Sequence, residues 1–112
     1  MSKSRDGSEV WQLRSRGEVV ARIHVQASDF PWLVGRFDPE PGFADLKPLF
    51  DHEVALVDSG NDMDYDAWEA VQHQIDQLTS LIKPDGRQVT DFVLHIRGDE
   101  ASFRWLDELP AE

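Results

Sequence analysis

Strand-like alternation, then two helical stripes, then a return to alternation: this order along 112 residues predicts an α+β domain. The expected architecture is a mostly antiparallel five- or six-stranded sheet with two helices packed on one face, in the order βββ-αα-(β)ββ. A chain of this length can bury roughly two-thirds of its unfolded surface, enough for one core and too little for two domains. A single domain is therefore expected over 9–107, between a flexible polar segment 1–8 and a tail 108–112.

Glu9 to Ser15 and Glu18 to Gln26 each alternate apolar and polar residues, and the polar link Ser15-Arg16-Gly17-Glu18 supplies a glycine for positive φ. The two segments read as a hairpin. Ala27-Ser28-Asp29-Phe30-Pro31 turns the chain into Trp32 to Phe37, a third strand stopped by Pro39 and Pro41.

The period then changes. Phe43, Leu46, Phe50, Val54 and Val57 recur at steps of three and four, predicting a helix that starts between Asp45 and Pro48, with Asp45 as cap and Phe43 packing underneath. Gly60 and Asn61 end it. Trp68, Val71, Ile75, Leu78 and Ile82 mark a second stripe, with Asp66 and Glu69 at capping-box spacing. A short extra strand fits near 81–83, and Pro84-Asp85-Gly86-Arg87 is a turn. Val89 to Arg97 then reads as one strand, Gly98-Asp99-Glu100 as a turn, and Ala101 to Leu106 as the last strand. The Asp29-Phe30-Pro31-Trp32 turn and the Phe92-Val93-Leu94-His95-Ile96 strand resemble a family of small uncharacterised bacterial proteins of unknown function. That resemblance implies no activity.

Composition removes several chemistries. With no cysteine there is no disulfide frame, no thiolate nucleophile and no sulfur-based metal site. The first eight residues lack the apolar stretch of a signal peptide and no later run reaches bilayer length, so a cytoplasmic protein without membrane association is expected. The net charge of −11 disfavours direct nucleic-acid binding. It is unevenly spread: residues 1–37 carry +2, residues 38–80 carry −10 and residues 81–112 carry −3.

Strand alternation divides the sheet residues into two sets. Trp11, Leu13, Ile23, Phe92, Leu94 and Phe103 belong to the helix side, joined in the core by Phe50, Val54, Trp68, Val71 and Ile75. The opposite set holds Arg14, Val20, Arg22, His24, His95, Arg97 and Arg104. Guanidinium forks grip carboxylates and phosphates, so Arg14, Arg22, His24, His95, Arg97 and Arg104 are the candidate ligand- or partner-binding residues. A solvated sheet face accounts for the same pattern.

Other motifs lead nowhere catalytic. The acidic run 58–66 lacks calcium-loop register, because Ala67 stands where glycine and His73 where glutamate would be needed from Asp62. None of His24, His52, His73 and His95 makes a pair at metal-ligand spacing. No nucleophile elbow, phosphate loop or dinucleotide fingerprint occurs, so no catalytic residue, metal or cofactor is assigned. The leading expectation is a non-enzymatic acidic interaction protein that binds another macromolecule, one form being an inhibitor or immunity-type protein docking on a basic protein partner. The alternatives are a homodimer through the uncovered face, and a small-molecule or anion binder or small enzyme using that Arg/His face.

Overall fold

A computed structural model describes residues 9–29, 31–89 and 92–105. The segments 1–8 and 108–112 lie outside the described residues, as do Phe30 and the Leu106 end of the last strand.

The first two strands, β1 (Glu9–Ser15) and β2 (Glu18–Asp29), pair antiparallel through a tight turn in which Arg16 and Gly17 both take positive φ, 57° and 81°. Two successive left-handed residues match the twist of the strands they join. β3 (Trp32–Pro39) pairs with β2. A one-turn 3-10 segment, Pro41–Asp45, buries Phe43 and leads into α1 (Lys47–Asp58), and α2 (Tyr65–Leu78) follows. The return to sheet comprises β4 (Ser80–Ile82), β5 (Gln88–Val89), β6 (Phe92–Arg97) and β7 (Glu100–Trp105). All pairings are antiparallel, in the order β5-β4-β1-β2-β3-β7-β6.

The sheet therefore has seven strands rather than five or six. The segment read as one strand from Val89 to Arg97 is two, and they occupy opposite edges of the sheet. Val89 and Phe92 stand three residues apart, so their Cα atoms lie within about 11 Å of each other. The sheet must curl until its edges approach. Trp11 on β1 accordingly meets Phe103 and Trp105 on β7, with ring centroids 4.9 and 4.8 Å apart, although two strands separate β1 from β7 along the sheet.

Inside the curl one apolar cluster joins Trp11, Leu13, Ile23, Phe37, Leu81, Leu94 and Phe103 to Phe50 of α1 and to Val71 and Ile75 of α2. The helices run between the two flanks. Gln72 Nε2 donates to the Phe92 carbonyl at edge strand β6 (2.8 Å), whereas Ser15 Oγ of β1 donates to the Leu78 carbonyl at the far end of α2 (2.8 Å). The helices thus do not simply blanket one face. Glu53 and Asp58 of α1 reach around β6 to His95 and Arg97, which belong to the set opposite the core.

Local departures have local causes. Val20 was expected outside, but β2 carries an extra residue there, since Leu13 pairs with Ala21 and Arg14 with Val19. The bulge breaks alternation and buries both Val20 and Ala21. A second bulge at Gln26 precedes the β2–β3 turn. Asp45 does not cap α1: Leu46 is the N-cap residue, without a side-chain bond, and Pro48 sits in the first turn. The cap of α2 is Asp64, which accepts from the Ala67 N–H (3.1 Å), rather than Asp66. The second helix stops at Leu78, leaving Leu78 exposed and Ile82 on β4, while Val54 and Trp68 are only half-buried.

Candidate functional site

The 3-10 turn Gly60–Asp62 joins the end of α1 to the start of α2 beside the outer side of β6, β7 and β3. There Glu53, with no exposed surface, is the only charged residue buried among those described. It follows Phe50 by three residues and precedes Val57 by four, which puts it on the inward stripe of α1. Burying a carboxylate is costly without partners. Glu53 has two: its Oε2 accepts from Trp68 Nε1 at 2.9 Å, and His95 Nδ1 lies 3.1 Å from Oε1 and 3.0 Å from Oε2.

These bonds fix the imidazole. A carboxylate at Nδ1 selects the tautomer with the proton on Nδ1, leaving Nε2 as the nitrogen for any further contact. The ring is further held by Trp32 of β3, stacked on it with centroids 5.2 Å apart and planes 28° from parallel. The Arg104 guanidinium lies 5.8 Å from the Trp32 ring centre. On the helix side Tyr65 and Trp68 stack at 5.9 Å.

Together these side chains, with Val57, Met63 and Val93, line a pocket of about 440 Å³. Its wall is mostly aromatic and aliphatic, with His95 and Arg104 as the polar groups. Just outside, Arg97 Nη2 donates to Asp58 Oδ1 at 2.6 Å. That bond holds the Asp58 carboxyl below the usual carboxylate range and pushes the Arg97 guanidinium up.

Of the six residues singled out from sequence, the fold brings His95 and Arg104 into this pocket and sets Arg97 at its side. The other three lie elsewhere on the sheet. Arg14 donates through Nε and Nη2 to Gln12 Oε1 (3.0 and 2.8 Å). Arg22 pairs with Glu40, and His24 Nε2 sits 3.7 Å from Asp38 Oδ2. Carboxylates thus interleave with the arginines, because Asp38 lies opposite Arg22 and Glu100 opposite Arg36 and Arg97 in the ladders. A second groove, about 320 Å³, includes Arg14, Arg16 and Asp76 but contains no buried carboxylate or oriented histidine.

Glu53, Trp32 and Trp68 were not singled out as site residues. A carboxylate on the apolar stripe of an amphipathic helix is the signal that points to Glu53; the runs of exposed acid around it hide that signal. Among the described residues no group of three or more His, Asp or Glu side chains is arranged to hold a metal ion, and no helix is long and apolar enough to cross a membrane. Compared with known proteins, the chain matches no family model, no curated protein and no solved structure.

Proposed function

We propose that the protein binds a small molecule in the pocket between the α1–α2 junction and the outer side of β3, β7 and β6, with His95 and Arg104 as its polar contacts. One observation carries this reading: the fully buried Glu53 is bonded to both Trp68 and His95, so two opposing walls of the pocket are held in place before any ligand arrives. Preorganised walls lower the ordering cost of binding. A largely apolar lining with a few fixed polar groups is the usual composition of a small-molecule site. The decisive measurement is a ligand-observed and protein-observed NMR screen with a fragment library. Fragments should shift the Trp32 and Trp68 indole and His95 imidazole signals, and a screen whose hits all avoid these signals overturns the proposal.

A second reading keeps the protein as an acidic, non-enzymatic partner of a basic macromolecule, of inhibitor or immunity type. It is favoured by Tyr65, which is 57% exposed at the pocket rim, next to exposed Asp66 and near exposed Glu69. Aromatic residues ringed by charge make effective protein contacts and steer association. A pull-down at low and high salt tests it: a specific partner should be retained by the native chain and lost with Tyr65→Ala, and retention of none at either salt counts against it.

A further inference from the structure

Resting on the small-molecule reading above, we infer that the ligand is an aromatic carboxylate, one flat ring bearing a single negative charge. The charge follows from the pairing around the pocket. Glu53 is engaged by Trp68 and His95, and Asp58 by Arg97. Arg104 lines the pocket half-buried, lies over Trp32, and makes no ion pair or hydrogen bond with any described residue. The unmatched charge in the wall is therefore positive. A guanidinium fork donates two parallel hydrogen bonds to a carboxylate, and the free Nε2 edge of His95 lies on the same wall.

The ring follows from the rest of the lining. Tyr65 and Trp68 line the pocket with flat π systems, and Met63 adds a polarisable sulfur beside them. About 440 Å³ leaves ample room for one ring and its carboxylate. Asp62 and Asp64 flank Met63 in the chain and are exposed, so their field opposes negative charge on the ligand, and the single Arg104 guanidinium offsets it for one carboxylate charge but not for a doubly charged phosphate.

Isothermal titration of the full chain with four probes tests this: benzoate, cyclohexanecarboxylate, benzyl alcohol and tetramethylammonium. Benzoate should bind with one-to-one stoichiometry, and cyclohexanecarboxylate and benzyl alcohol at least threefold more weakly. Arg104→Gln should weaken benzoate at least tenfold, Arg104→Lys by an intermediate factor because it keeps charge without the fork, and Arg87→Gln, in the turn after β4 and paired with Asp85, not at all. Thermal unfolding checks that each variant folds, and Arg104→Lys decides should Arg104→Gln not. Benzyl alcohol equalling benzoate, tetramethylammonium binding in its place, or Arg104 variants binding benzoate like the native chain overturns the inference while leaving the pocket reading intact. Failure of all four probes to bind a folded protein also overturns the inference, whereas the pocket reading falls only if the fragment hits avoid Trp32, Trp68 and His95.

Discussion

Glu53 and His95 meet across the boundary between α1 and β6, with the imidazole Nδ1 3.0 and 3.1 Å from the two carboxylate oxygens and the glutamate wholly buried. The pair ties the helix layer to an edge strand. Trp68 closes the arrangement from α2, so three elements depend on one side chain.

Replacing Glu53 by alanine is expected to cost about 3 kcal/mol or more, since it leaves an indole and an imidazole N–H without their acceptor and opens a cavity. Glu53→Gln retains one acceptor oxygen and should lose less. Urea-denaturation midpoints compare them, and equal losses would assign the effect to the lost carboxylate acceptors rather than to the cavity.

Gly35 is required by crowding rather than by its dihedral angle. A Cβ there would lie 2.3 Å from the His24 carbonyl oxygen, a backbone atom that cannot swing away. Gly35→Ala should destabilise by about 1–3 kcal/mol, the usual range for overpacking. Gly42→Ala meets only the Val20 side chain, at 3.3 Å, and should cost much less by the same assay.

At the start of α2, Asp64→Ala should lower stability by about 1 kcal/mol, the typical value of an N-cap side chain. Asp66→Ala should have a smaller effect. The reverse order in thermal melts would return the cap to the Asp66–Glu69 spacing.

The Asp58 carboxyl is depressed by its hydrogen bond from Arg97 and by the guanidinium charge. A folded-state pKa below the unfolded value of about 3.9 means the bond stabilises above that pH and is lost as pH falls through the lower, folded value. In Arg97→Gln the Asp58 carboxyl should titrate closer to the ordinary carboxylate range, read by carbon-detected NMR, while stability near neutrality changes little because the pair is exposed. An unmoved titration would show that Arg97 does not act on Asp58 in solution.

The β1–β2 hairpin, the third strand and both helices are legible in the sequence because local periodicity and turn residues specify them. The sheet order is not, since Val89 and Phe92 look like one strand until their partners are known. Val20 is misplaced by a bulge that alternation cannot register. His95 and Arg104 are visible as polar residues on the outer set, yet their pocket depends on Glu53, whose position within an acidic stretch disguises a buried group as a surface one.

The step from Val89 to Phe92 couples the two sheet margins mechanically. β4 and β5 hang on β1, and β6 and β7 hang on β3, but a span of at most about 11 Å joins the groups. Neither flank can swing away from the central meander without dragging the other. Opening becomes a shared event, and backbone amides in β4 and β6 should exchange with solvent at matching free energies, like two leaves of a door closed by one latch.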